Sequence, residues 1–172
     1  MSREVAGGKA DATADPLAAT STPPGELPGA ILFACTTNAV RSVMAAAILR
    51  HLAGQRAYVA SAGVRAGTSD PFVTAVMDEI GIDVSQHTPH TLRDLHDTSF
   101  DLIVSLSPEA HHQALELTRT MAVDVEYWPT IDATVMVGQG TREQTLGHYR
   151  EVRDKMFERI KTRFGFEGGP TV

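Results

Sequence analysis

One cysteine occurs among the 172 residues, and its neighbours make it the most chemically legible position in the chain. Cys35 closes the apolar run Ala30-Ile31-Leu32-Phe33-Ala34. Six positions on stands Arg41, followed by Ser42 and the Ala-rich run Val43 to Leu49. The pattern predicts a strand, a tight loop and a helix, with a thiol at the mouth of the loop and a guanidinium at its far end. A loop entering a helix turns backbone N–H groups inward, and the helix dipole adds positive potential there. A field that holds a tetrahedral oxyanion also stabilises a thiolate. One short segment therefore supplies a nucleophile, an anion cradle and a counter-charge.

A phosphoryl group in that cradle would lie against Thr36, Thr37, Asn38, Ala39 and Val40, mainly on their amides. Arg41 can bind two of its oxygens at once through a planar fork that lysine lacks. In-line attack by the thiolate would give a cysteinyl-phosphate, which water then hydrolyses. This route calls for no metal and no cofactor. The departing alkoxide or phenoxide needs a proton, usually from a carboxylic acid on a neighbouring loop. Two aspartates compete for that role. Asp70-Pro71 reads as a helix start, with Asp at the N-cap and Pro at the first helical position. Asp132, within Trp128-Pro129-Thr130-Ile131-Asp132-Ala133-Thr134, fits a proton donor and a turn cap equally well.

These residues need a scaffold. Apolar runs predict strands at about 30–35, 57–61, 100–106 and 122–128, alternating with helices at about 42–54, 70–81, 107–117 and from 141 onward, and a short helix over 91–97. Thr141 and Gln144 match a capping box. Alternation of this kind predicts an α/β fold, a doubly wound, four-stranded parallel sheet with helices on both faces. Ligands of such sheets sit at the carboxyl ends of the strands. Cys35, Ser107 and the loop after Trp128 all fall at that rim. Residues 1–28, rich in Ala, Gly, Pro and Thr, read as a flexible tail, and 167–172 as a second tail, around a domain spanning 29–166.

Composition bounds the function. A single Cys forbids an internal disulfide and is too few for a thiolate metal site. The net charge of −6 argues against broad nucleic-acid binding. No apolar run approaches a membrane span, and the first residues lack a secretory h-region. The expectation is a cytoplasmic protein acting on a phosphate ester or oxyanion.

Cys35-Thr36-Thr37-Asn38-Ala39-Val40-Arg41-Ser42 resembles the phosphate-binding loop of the low-molecular-weight protein tyrosine phosphatase family. The likeness runs over about 30–165 and includes Ser61-Ala62-Gly63, Gly81-Ile82-Asp83 with His87, and Phe100-Asp101-Leu102-Ile103-Val104. It implies a flavodoxin-like fold and a cysteinyl-phosphate route. It casts Cys35 as nucleophile, Arg41 as phosphate clamp, Ser42 as thiolate stabiliser and Asp132 as general acid. It also implies that Asn38, Ser42, Ser61 and His87 form a network that holds the loop in shape. The chain departs from the family's usual Gly at Thr37, Pro at Val43 and Pro at Ala133. Val40 stands where many members carry a second, protective cysteine. The stretches Val64-Arg65-Ala66-Gly67 and Ala133-Thr134-Val135 lack the aromatic walls of phosphotyrosine-cleaving members.

Two other functions compete. Relatives of this fold reduce arsenate. Their thioredoxin-coupled forms relay oxidation through two further cysteines that this chain lacks, so only a form using an external small thiol fits. The other competitor is a non-catalytic phosphate-binding module. His111-His112 and His90 are expected in solvent or capping roles rather than on a metal.

Overall fold

The computed structural model describes residues 22–95 and 99–167. Four strands, β1 (Ala30–Cys35), β2 (Tyr58–Gly63), β3 (Leu102–Ser105) and β4 (Asp124–Tyr127), form one parallel sheet in the order β2-β1-β3-β4. The α-helices are α1 (Arg41–Ala53), α2 (Pro71–Asp78), α3 (Pro108–Leu117) and α4 (Arg142–Phe164). β1 lies inside the sheet, in register with Cys35 opposite Gly63 on one side and Ala34 opposite Ser105 on the other. Its side chains alternate between two cores, as period-two geometry requires. Ile31, Phe33 and Cys35 face the layer of α1, α2 and α4, and Leu32 and Ala34 face the layer of α3. The sheet is the α/β, doubly wound arrangement that the alternation predicts.

Several local signals act as read. Asp70 caps α2 by accepting from Phe72 N at 2.8 Å, and its other oxygen accepts from Tyr149 Oη of α4 at 2.6 Å. Burial and that carboxylate hold the Tyr149 phenol well above its ordinary range. Thr141 and Gln144 close the capping box of α4. Glu79, just past α2, receives Arg150 and Arg153 of α4, and their hydrogen bonds pull its carboxyl down to about 2.

Element ends differ from the expected ones. The 91–97 segment contains a single 3-10 turn, Leu92–Leu95, and residues 96–98 lie outside the described residues. β2 runs two residues beyond Ser61 because Gly63 pairs level with Cys35. Residues 1–21 and 168–172 also lie outside the described residues, but 22–28 are seated rather than free of the domain. The buried Arg163 of α4 donates to the Thr22 carbonyl at 3.0 Å, Gly25 N donates to Arg163 O at 2.8 Å, and Leu27 packs on the core. Arg163 is anchored in turn by Glu126 of β4, at 2.7 Å. This segment has few apolar side chains, so hydrophobicity did not mark it. Main-chain carbonyls seat it instead.

Candidate active site

The loop from Thr36 to Val40 joins β1 to α1, and its shape is set by partners on both sides. The carbonyls of Cys35, Thr36 and Thr37 accept from Val64, Arg65 and Gly67 amides at 3.1, 2.9 and 2.9 Å. The Asn38 carbonyl accepts from His87 Nε2 at 3.1 Å, which places the ring proton on Nε2. In a planar trans peptide the N–H points opposite to the C=O. The next amides, Thr36 to Ala39, therefore aim the other way, toward the cleft. None of them donates to a protein acceptor among the described residues. Four unspent N–H groups at the start of α1 can receive an oxyanion.

Asn38 makes the sharpest bend, with φ at 54°, and it is fully buried. Asparagine tolerates this left-handed conformation better than most side chains. Its Oδ1 accepts from His90 N at 3.1 Å and its Nδ2 donates to Ser42 Oγ at 2.9 Å. Ser42 Oγ lies 2.9 Å from Cys35 Sγ at the cleft floor. Because Asn38 Nδ2 can only donate, the Ser42 hydroxyl proton is left for the sulfur. Burial first, then the positive fields of His90 and Arg50, hold His87 below its ordinary value, against the hydrogen bond to Asn38. The neutral ring is thus the form that supports the loop.

Ser61 is a correction. It was expected in this network, yet its Oγ is buried without a hydrogen-bond partner. It stands beside Phe33 in the sheet, two residues short of the point where β2 meets the loop. Gly63 makes that approach. A Cβ there would lie 2.5 Å from Arg65 O and 2.7 Å from Asn38 N, so only glycine lets the two backbones close.

Arg41 is nearly buried and already aimed. Nη1 donates to the Thr130 carbonyl at 3.1 Å, Nη2 to Thr36 Oγ1 at 3.4 Å, and Nη2 lies 3.8 Å from Asp132 Oδ2. The loop that carries Asp132 runs along the end of β3, through Trp128 N to Ser105 O and Thr130 N to Leu106 O. Asp132 is a turn cap that also reaches the cleft. Oδ1 accepts from Thr134 N and Oγ1, capping the 3-10 turn Ala133–Met136, while Oδ2 faces the cleft. Thr36 Oγ1 donates to Ser107 Oγ at 3.0 Å, tying the loop to the N-cap of α3.

The resulting cleft, of about 420 Å³, is lined by Cys35, Thr36, Thr37, Val40, Arg41 and Asp132 of the expected set. Sequence reasoning missed its rim. Arg65 and Glu109 line it and pair at 3.0 Å, and Thr134 completes the wall. Both charged residues were within reach of notice, Arg65 inside the stretch read for missing rings and Glu109 in the first turn of α3. Their meeting is a tertiary fact that spacing does not encode. His111 bonds Ser105 Oγ through Nδ1 at 2.8 Å and stacks on Tyr127, with ring centroids 4.4 Å apart.

A strand-end cysteine, a ring of loop amides, a buried arginine and a facing carboxylate define a class of oxyanion-binding α/β proteins with a thiol lining the cleft. Residues 30–162 match the sequence profile of the low molecular weight phosphotyrosine protein phosphatase family. The chain belongs to that family. It is 32% identical over 131 residues to an arsenate reductase of Bacillus subtilis, covering 76% of this chain and 91% of that one. It is 34% identical over 132 residues to an arsenate reductase of Halalkalibacterium halodurans, covering 77% and 92%. A solved arsenate reductase in the phosphate binding state superposes with a TM-score of 0.59 at 25% identity, covering 77% of this chain and 93% of that one. A low molecular weight protein tyrosine phosphatase from T. tengcongensis has the same fold, with a TM-score of 0.64 at 22% identity over 77% and 95% of the two chains. Among the described residues, no helix is long and apolar enough to cross a membrane.

Proposed function

We propose that this protein hydrolyses phosphate monoesters through a cysteinyl-phosphate. The observation that carries the reading is the placement of Asp132. Its Oδ2 stands 3.8 Å from the Arg41 fork in the cleft that Cys35 also lines, so nucleophile, clamp and proton donor share one site. The dianion sits on the loop amides and Arg41, and Sγ attacks phosphorus in line. The ester oxygen leaves with a proton from Asp132. The same carboxylate then takes a proton from water as it attacks the cysteinyl-phosphate, and the thiolate departs onto the Ser42 hydroxyl. The rim presents Arg65 and Thr134 where rings would stack, so the substrate is not confined to phosphotyrosine, and a phosphoprotein is one carrier that fits. Turnover of p-nitrophenyl phosphate tests this. Cys35→Ser and Arg41→Ala are expected to abolish it. Asp132→Asn is expected to slow esters of poor leaving groups by about 10²–10⁴-fold while leaving phosphate bound. An inert wild type that still binds phosphate would favour a binding module instead.

A second reading has its own support in the arsenate reductases at 32% and 34% identity. Sγ would displace water from arsenate to form a Cys35–arsenate adduct. An external thiol would attack Sγ, releasing arsenite and leaving a mixed disulfide, and a second thiol would restore Cys35. With one cysteine in the chain, both reducing equivalents come from outside. Arsenite release that requires added small thiol, without aryl phosphate hydrolysis, would select this route.

A further inference from the structure

Resting on the phosphatase reading, we propose that Arg65 is a specificity-determining residue, and that it binds a carboxylate on the leaving group of the phosphomonoester. Arg65 is not a loosely placed surface residue in its backbone. Its amide donates to the Thr36 carbonyl at 2.9 Å, one residue beyond the nucleophile, and Val64 and Gly67 clamp the same segment to Cys35 and Thr37. Gly63 and Gly67 permit that approach, since a Cβ on Gly67 would lie 2.9 Å from Thr37 Cβ. The Arg65 backbone is thus registered to the phosphate loop, and its side chain lines the cleft.

The guanidinium has five N–H donors. Among the described residues only Nη1 is used, on Glu109 Oε2 at 3.0 Å. The Nε–Nη2 edge, the one that grips a carboxylate in two parallel hydrogen bonds, is unspent. Glu109 has its own reason for its place, since it sits in the first turn of α3, where the helix dipole favours a negative charge. Its effect on Arg65 is to hold the guanidinium by one nitrogen and present the other edge. Stability does not explain the pair. Its members are 62% and 55% exposed, and such surface pairs contribute little. Arg65 lines the same cleft as Arg41 and Asp132, so a leaving group on a phosphoryl group held by Arg41 has this rim within the cleft. A carboxylate there meets a fork with an unspent edge. An ammonium would have to meet Glu109 beside a fixed guanidinium.

The test compares kcat/KM for phenyl phosphate, 3-carboxyphenyl phosphate and 3-(aminomethyl)phenyl phosphate at one ionic strength. The wild type is expected to prefer the carboxylated ester over phenyl phosphate by roughly three- to fivefold, the upper range for an exposed, bidentate ion pair. Arg65→Ala should bring that ratio close to one, and Arg65→Lys should restore part of it. A wild-type ratio near one, a ratio unchanged in Arg65→Ala, or a preference for the aminomethyl ester would overturn the proposal while leaving the phosphatase reading intact. If the wild type turns over none of the three, the phosphatase reading fails. Calorimetry of the same esters with Cys35→Ser then decides separately about the rim. Tighter, Arg65-dependent binding of the carboxylated ester supports it, and equal affinities overturn it.

Discussion

Ser42→Ala removes a single oxygen at the centre of the site. That oxygen accepts from Asn38 Nδ2 at 2.9 Å and lies 2.9 Å from Cys35 Sγ, fully buried. Its proton is directed at sulfur, so it matters most when sulfur carries negative charge. In the second step of the proposed route sulfur is the leaving group, and charge returns to it as the S–P bond breaks. A hydrogen bond to a charged group is worth about 1.5–3 kcal/mol, which predicts a fall in kcat of roughly 10- to 150-fold. The slowed step is hydrolysis of the cysteinyl-phosphate, so the intermediate should accumulate. Stopped-flow assays with p-nitrophenyl phosphate should show a burst of p-nitrophenolate approaching one equivalent, followed by slow turnover. The Asn38 amide also loses its acceptor in a buried position, at a cost of about 1–3 kcal/mol in unfolding free energy. A variant with kcat within twofold of wild type and no burst would refute the claim that this hydroxyl follows the sulfur through the reaction.

Gly63→Ala should push β2 away from the phosphate loop, because the new methyl meets Arg65 O at 2.5 Å and Asn38 N at 2.7 Å. The expected cost is about 1–3 kcal/mol in chemical denaturation together with weakened phosphate binding, and unchanged values of both would show that the backbones need not touch. His87 predicts a pH effect. Folded, it titrates below its ordinary value near 6.5, so on acidification the unfolded chain takes up the proton first. Stability from this residue is full above about pH 6.5 and is lost as pH falls through the lower, folded value. His87→Gln, which keeps an N–H for the Asn38 carbonyl, should flatten the melting temperature between about pH 7 and 5 relative to wild type. Parallel profiles would count against the buried neutral ring.

Local features were the ones legible in the chain. The order of strands and helices, the Asp70 cap and the Thr141–Gln144 box depend on neighbours within a few residues, and they stand where they were read. Cys35 to Ser42 was readable for the same reason, since one short loop holds the thiol, the guanidinium and the hydroxyl. Asp132 was ambiguous because capping and facing the cleft use different oxygens of one carboxylate. The Arg65–Glu109 rim and the seating of residues 22–28 join positions 44 and about 140 apart in sequence, and no periodicity marks them. Ser61 shows the opposite failure. A residue type in the expected place made no hydrogen bond, because β2 continues past it before reaching the loop.

The Thr130 carbonyl accepts from Arg41, so the proposed phosphate clamp is coupled to the backbone two residues ahead of Asp132. Only Ile131 separates Thr130 from Asp132, and no strand or helix intervenes. In the proposed mechanism, anion affinity and proton delivery are therefore expected to vary together. Variants that slacken the 129–132 stretch should lower both together, and product release should relax both at the same moment.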